Sequence, residues 1–562
     1  MREYANAQNE PGTKQADDLL HAVDIGETVT SPDHALEIWR SIRALATPQH
    51  MLDRTRAMFT GTVQRALMIT PTPIANGDAL LAAELNRAPV VAAADAASQR
   101  RLTFADLPPI GRPGRMASRA VLPALEMERW QLSNGVTALV RSTNIEPNKI
   151  RITVRWGAGR MSVGPQQRNL LWTAGGALLE SGIGRLDQNA LDRLVNGRQI
   201  GMGFDVDDDA FELSAETRPE DLADQLRLLA TKLAVPGWQG APVVRARAGQ
   251  LAAYDLIRNS PMAVMRNELP SLLFSGDTRY APPTRADVEA LTPASFRAFW
   301  EPRMRQGPIE IQIFGDVGNV DLQSMLLSTF GAMPARRAPA LPVGANDLRP
   351  TPVATAPIIA RHSGGDTQAA AILAYHTGGG LDDIRTARQL EILAAIFNDR
   401  LFERLRDQAG ASYSQAVNSN WSADFAHGGY VFVGGLVRPE DSDLMLRSAH
   451  AIAAELMASP VSADELQRAV GPASEQIIRA ASGNVFWMYE LEGATREPRR
   501  IEALRSYLTD LTGVTPADLQ ALARRYLAPE RAVTVLVLPD GAAVPALSPP
   551  GTVAGTAGTG TA

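Results

Sequence analysis

Two residues in this chain have the types and the spacing to act together on one bound group. Leu401 to Ser414 reads Leu-Phe-Glu-Arg-Leu-Arg-Asp-Gln-Ala-Gly-Ala-Ser-Tyr-Ser. The pattern predicts a helix that carries Arg406 near its end, a breaker at Gly410, and a strand that opens at Tyr413. A guanidinium and a phenol placed on either side of such a turn can both donate hydrogen bonds to one peptide carbonyl. They can also donate to the oxyanion formed when water attacks that carbonyl. The plainer alternative is an arginine paired at a helix C-terminus and a tyrosine packed in a core.

Other clusters offer less chemistry. Asp205, Asp207, Asp208 and Asp209 lack the Asp-x-Asp-x-Asp-Gly order of a calcium loop and read as a solvated turn between strands. Gly378-Gly379-Gly380 has no Lys-Ser/Thr beside it, so it is not a phosphate loop. His427 has no partner in sequence and reads as structural. There is no cysteine, which excludes disulfides, thiolate metal sites and a cysteine nucleophile. The net charge is −6 and no basic stripe occurs, so nucleic acid is not an expected partner. Only Lys14, Lys149 and Lys232 are lysines; scattered arginines carry the remaining positive charge. No apolar run is long enough to span a membrane. The first residues lack the apolar core of a secretory signal.

The elements that must position Arg406 and Tyr413 recur along the chain. Arg-Pro-Glu-Asp occurs at 218–221 and at 438–441, each time opening an amphipathic helix, Leu222 to Leu233 and Leu444 to Met457. Thr-Pro at 292–293 leads through Phe296, Phe299 and Trp300 to a strand, Ile309 to Phe314. Thr-Pro at 515–516 leads through Leu519, Leu522 and Tyr526 to a strand, Val533 to Leu538. Threonine at the N-cap with proline at N1 is helix-start chemistry. The first markers lie 220 residues apart (218 to 438) and the second 223 apart (292 to 515), an offset too long for a solenoid and fit for duplicated domains. A third Thr-Pro, at 47–48, precedes a helix with Met51, Leu52 and Met58 and a strand-like run, Ala66 to Ile69. Residues 1–85 are therefore expected to be the back end of a domain, with apolar surface at Leu67, Met68 and Ile69. Proline-rich 86–126 and 333–357 read as linkers, and 541–562 as a disordered tail. Within the units, Asn134-Gly135 marks a hairpin, Ile150–Trp156 and 429–437 read as strands, and Leu390, Leu393, Phe397, Leu401 and Leu405 form a helical stripe. The expected fold is α+β, with tandem α/β sandwich domains at 127–332 and 358–540.

These segments resemble the insulinase/pitrilysin family of zinc peptidases. Arg400 to Ser414 is close to that family's second-domain motif. Leu132-Ser-Asn-Gly-Val-Thr-Ala-Leu-Val is similar to its opening hairpin, and Val154-Arg-Trp-Gly-Ala-Gly-Arg to the strand and loop that follow. The resemblance implies a clamshell of four such domains around a peptide. It also implies a zinc site made by an inverted His-x-x-Glu-His motif and a Glu about 75 residues on. No His-x-x-Glu-His occurs here: the histidines are His21, His34, His50, His362, His376, His427 and His450, and no two are four apart. On the helix expected over 169–180, Thr173-Ala-Gly-Gly-Ala177 takes the motif's place, and the distal Glu falls near Ala252-Ala253.

The resemblance therefore assigns this chain to the non-zinc half, with Arg406 and Tyr413 as substrate-binding residues and no catalytic or metal residue of its own. Zinc is expected only in a complementary half. The expected partners are a peptide or unfolded protein substrate and a zinc-bearing peptidase half. An alternative is a non-catalytic assembly subunit that kept the peptidase fold. An unproductive piece of a split gene is a third. A periplasmic location is implied by family analogy alone.

Overall fold

The computed structural model describes residues 12–61, 63, 65–70, 72–87, 102–409 and 414–549. The chain divides into two compact units, Met1–Arg101 and Leu102–Ala562.

The first unit is helical over Gly12–Asp24, Pro32–Ile42, Pro48–Met58 and Gly77–Leu85. Two of these helices start on a side-chain cap ahead of a proline, one of them the Thr47-Pro48 start read from sequence. The Ser31 side chain accepts from the His34 N–H and the Thr47 side chain from the His50 N–H, each ahead of a proline. The run Ala66 to Ile69, expected to be strand-like, forms no strand. A strand needs a neighbour for its backbone groups, and this unit contains no other strand among the described residues. Among the described residues of this unit Leu36 is the one large hydrophobic that is buried, whereas Leu67, Met68 and Ile69 are 87%, 62% and 87% exposed.

The second unit contains two sheets. Strands β1 (Met116–Leu122), β2 (Met127–Leu132), β3 (Thr137–Ser142), β4 (Ile150–Trp156), β5 (Gly203–Val206), β6 (Phe211–Thr217) and β7 (Ile309–Gly315) form the first, in the order β1-β2-β3-β7-β4-β6-β5. Strands β8 (Ile358–His362), β9 (Ala369–His376), β10 (Ser414–Asn420), β11 (Tyr430–Val437) and β12 (Ala532–Pro539) form the second, in the order β10-β11-β9-β12-β8. The duplication is visible in the pairing. β7 runs parallel to β3 and antiparallel to β4, and β12 runs parallel to β8 and antiparallel to β9. The shared core is β3-β7-β4-β6-β5 in one sheet and β8-β12-β9-β11-β10 in the other; β1 and β2 are additional. The marker motifs are matched as well. Arg218 bonds Asp221 at 2.6 Å and Arg438 bonds Asp441 at 2.8 Å, while Thr292 and Thr515 each cap a helix in a capping box. Gly135 turns the β2–β3 hairpin with φ of +88°, a conformation that favours glycine.

The central strands of both sheets are buried on both faces, β7 and β4 in the first and β9, β11 and β12 in the second. In β12, Leu536 and Leu538 face a core built with their own domain's helices, including Leu393, Phe397, Ile452 and Leu519. Val533, Val535 and Val537 face the other way. There they meet Val264, Leu269, Leu273 and Phe274, from or beside the Pro261–Leu273 helix of the first-sheet domain. The reciprocal cover exists on the first sheet. Met127, Leu139 and Phe314 pack against Met488, Leu491 and Leu504, from or beside the Asn484–Glu490 and Arg499–Thr512 helices of the second-sheet domain. Each such fully buried side chain contributes about 1.5–3 kcal/mol relative to exposure.

Polar groups pin this exchange. The Glu310 carboxylate, wholly buried in β7, accepts from the Gly493 N–H at 2.8 Å, the Thr495 N–H at 2.9 Å and the Thr495 hydroxyl. Arg129 donates to the Thr495 carbonyl at 3.0 Å, and Arg141 donates to Asn484 at 3.3 Å while lying over the Trp487 ring.

Three expectations need correction. Residues 86–126, read as a linker, end in a regular strand, β1, because its backbone pairs with β2 along the sheet edge. The 169–180 helix is a 3-10 turn at Leu171–Thr173 followed by a π-helical turn at Ala174–Leu178, which the paired glycines 175 and 176 permit. The tail read as disordered from 541 is held at its start: the Ser548 N–H donates to Asp443 at 2.6 Å and Leu547 packs on the core, while residues 550–562 lie outside the described residues.

Glu310→Ala strands two backbone N–H groups and a hydroxyl at the domain seam. It should lower stability by about 3 kcal/mol and split one calorimetric transition into two. A single transition at the original midpoint would show that Glu310 does not hold the seam.

Candidate functional site

Arg406 is placed by a long helix, Ile384–Ala409. The stripe Leu390, Leu393, Phe397, Leu401 and Leu405 is buried against the second sheet, which fixes the rotation of the helix. Arg406 falls outside that stripe and is exposed, its guanidinium 5.7 Å from the Phe402 ring centroid. The breaker Gly410 and Tyr413 lie outside the described residues, and so does the expected pairing of Tyr413 with Arg406. The chain resumes at Ser414 as β10, which runs antiparallel to β11 and closes its side of the sheet. Among the described residues β10 is an edge strand of its sheet, and it follows the helix end that carries Arg406 in the chain. A guanidinium beside an edge strand suits an extended peptide: the strand bonds main chain to main chain, and the guanidinium donates to a carbonyl.

The place of the zinc motif holds no metal chemistry. The 171–178 segment packs against the Gly240–Ala252 helix, so the two elements expected to share ligands do face each other. Their residues do not fit zinc. Thr173 donates to the Leu170 carbonyl and accepts from the Trp300 indole at 2.9 Å; the positions after it are alanine and glycine, and the facing helix ends at Ala252. The cation at this place is Lys232. Its buried ammonium donates to the carbonyls of Leu178 at 2.6 Å, Leu179 at 3.1 Å and Gly182 at 3.0 Å, closing the end of the distorted helix. Burial pulls its pKa down to about 7.

Among the described residues, Asp207, Glu212 and Glu492 are the one group whose carboxylates approach as metal ligands would, within 4.8 Å of one another. The space between them is filled by protein. Arg155, 1% exposed, donates from Nη1 to Asp207 at 2.5 Å, Glu212 at 3.2 Å and Glu492 at 3.1 Å, and from Nη2 to Asp209 at 2.6 Å. Asp208 accepts from the Tyr280 hydroxyl at 2.6 Å and pairs with Arg160. Of the four aspartates expected to form a solvated turn, Asp207, Asp208 and Asp209 form an ionic knot at the domain seam, while Asp205 is exposed in β5. The β5–β6 turn is indeed where they sit, but a buried arginine on β4 draws them inward. Glu492, 337 residues from Arg155, was invisible to sequence reasoning. The knot opens on a cavity of about 450 Å³ whose walls include Arg388, Trp421, Asp424 and Tyr507. His427 is exposed and meets no metal-like group among the described residues.

Burial, with Glu212 and Asp207 close by, pushes Glu492 up to about 8 despite Arg155. The folded protein then keeps a proton that an unfolded glutamate releases above pH ~4.3. Stability from this group is complete at acid pH and is lost as pH rises toward about 8. In thermal denaturation between about pH 5 and 8, Glu492→Gln should flatten the decline. Equal slopes in the two proteins would remove Glu492 as its source.

A family profile for the peptidase M16 inactive domain matches residues 290–471. That span runs from the closing helix and strand of the first sheet's domain into the second, through Arg406. No curated protein matches the chain by sequence. Among solved structures, the ferredoxin protease FusC in complex with Arabidopsis ferredoxin aligns with a TM-score of 0.65 at 16% identity, over 95% of this chain and 60% of that one. The periplasmic protease PqqL from Escherichia coli aligns with a TM-score of 0.65 at 16% identity, over 96% and 59%. An M16 inactive domain from Pseudomonas fluorescens aligns with a TM-score of 0.60 at 18% identity, over 75% of this chain and 100% of that one. This chain thus spans about 60% of the length of FusC or PqqL. The structural matches show the duplicated α+β fold, and within it residues 290–471 are similar to the M16 inactive domain.

Proposed function

We propose that this chain is the non-catalytic half of an M16-type peptidase and that it holds peptide for a zinc-bearing half. The observation that carries the reading is the exposed Arg406 guanidinium at the helix end that leads into edge strand β10. A peptide laid along β10 would gain main-chain hydrogen bonds without demanding a sequence. Arg406, with Tyr413 on the same connection, would donate to the scissile carbonyl and more strongly to the oxyanion that follows. Hydrolysis itself belongs to the partner, because the residues at the motif's place here do not fit zinc. Arg155, Glu310 and their partners would keep the two domains of this half in fixed register while peptide binds. A periplasmic setting, that of PqqL, goes with this reading. The competing reading, an assembly subunit that retains the fold, draws on the exposed apolar residues of the first unit.

Adding the chain to its zinc-bearing partner should raise peptide hydrolysis. Arg406→Ala should lower kcat of the mixture by about 10²-fold, the usual scale for one oxyanion donor, with a smaller change in KM. Tyr413→Phe should act in the same direction. If the partner binds this chain and both variants leave hydrolysis unchanged, the assembly reading replaces the substrate-holding one.

A further inference from the structure

The first unit repeats the closing elements of the two sheet domains without a sheet to close. In those domains the final strand opens seventeen residues after a capping threonine, from Thr292 to Ile309 and from Thr515 to Ala532. The same offset from Thr47, which caps its helix in the same way, leads into Arg65–Thr70. The burial of equivalent residues is opposite. Four residues past the threonine, Phe296 and Leu519 are 1% and 0% exposed, whereas Met51 is 55% exposed. Strand β7 is buried throughout and β12 almost throughout, whereas 65–69 is exposed. A strand of this kind is central in its sheet, parallel to one neighbour and antiparallel to the other.

We propose that residues 65–70 are a donated strand. They insert into a sheet carried by the zinc-bearing half, between a parallel and an antiparallel neighbour, with the Pro48–Met58 helix covering one face. The inference rests on the proposed function for the identity of that half. Lengths support the choice of occupant: FusC and PqqL match at least 95% of this chain, a share that cannot be reached without most of its first 101 residues, yet about two fifths of their own length has no counterpart here. The repeat also fixes the orientation of the side chains. Leu67 and Ile69 correspond to Val535 and Val537, which face the helix exchanged from the neighbouring domain. Met68 corresponds to Leu536, which faces its own domain's helices. The backbone gains ladder bonds on both sides, and three large apolar side chains leave water, each worth about 1.5–3 kcal/mol on full burial.

The test uses the full chain in its own host, with photoreactive p-benzoylphenylalanine placed at Leu67 or at Met68. Both positions should cross-link to one polypeptide that carries His-x-x-Glu-His, and to different helices of it. Met68→Pro, which removes a ladder N–H, should abolish co-purification of that polypeptide while the melting of Leu102–Ser548 stays unchanged. Cross-links to residues 102–549 of the same chain, to a second copy, or to nothing would overturn the proposal. So would a Met68→Pro chain that binds its partner as well as the original. The two readings fail separately. A cross-linked complex whose hydrolysis ignores Arg406→Ala sinks the substrate-holding role alone; full restoration of hydrolysis by Met68→Pro chain sinks the donated strand alone.

Discussion

A sheet whose central strands are buried on both faces must be covered twice, and each domain of this protein covers its own sheet only once. That constraint organises the two-sheet unit. The Pro261–Leu273 helix leaves its own domain to lie on the second sheet, and the Asn484–Glu490 helix, from the corresponding place in the repeat, lies on the first. Neither domain can separate without exposing a whole sheet face. The seam is therefore an internal core, and the polar groups within it must be paired. Glu310 finds two backbone N–H groups, and Arg155 finds four carboxylates, because water cannot reach them.

This arrangement bears on function through rigidity. The Ile384–Ala409 helix is locked by its buried stripe, and the sheet it packs on is locked between two helical layers. Arg406 is thus an exposed group on a fixed support, the condition for a donor that must meet a carbonyl without reorganising. The place where the resemblance puts a zinc motif shows the same economy. Two elements pack together there, and a lysine ammonium with three carbonyls closes the end of the Ala174–Leu178 turn.

The first unit follows the same rule in reverse. It has capped helices and an apolar run at Leu67–Ile69, and nothing among the described residues of the unit covers that run. The missing strand at Ala66–Ile69 is instructive because local sequence favoured it. β-propensity describes fit to a pleated surface, and without a neighbouring strand the backbone has no ladder to join.

What the sequence determined by itself was local and periodic. The two marker motifs gave the repeat; the apolar runs of β4 and β12 gave buried strands; Thr292, Thr515 and Thr47 gave helix starts; and the histidine spacing ruled out a His-x-x-Glu-His motif in this sequence. Each depends on residues within a few positions of one another, where backbone geometry is set by near neighbours. The tertiary structure alone decided the exchange of covering helices, the pairing of Arg155 with Glu492, and the inward turn of Asp207 and Asp209. Those partners lie on different elements, 52 and 54 residues apart for Arg155 with Asp207 and Asp209 and 337 apart for Arg155 with Glu492. Such contacts follow from which sheet face is left uncovered, a property of the assembled domains that no local spacing contains.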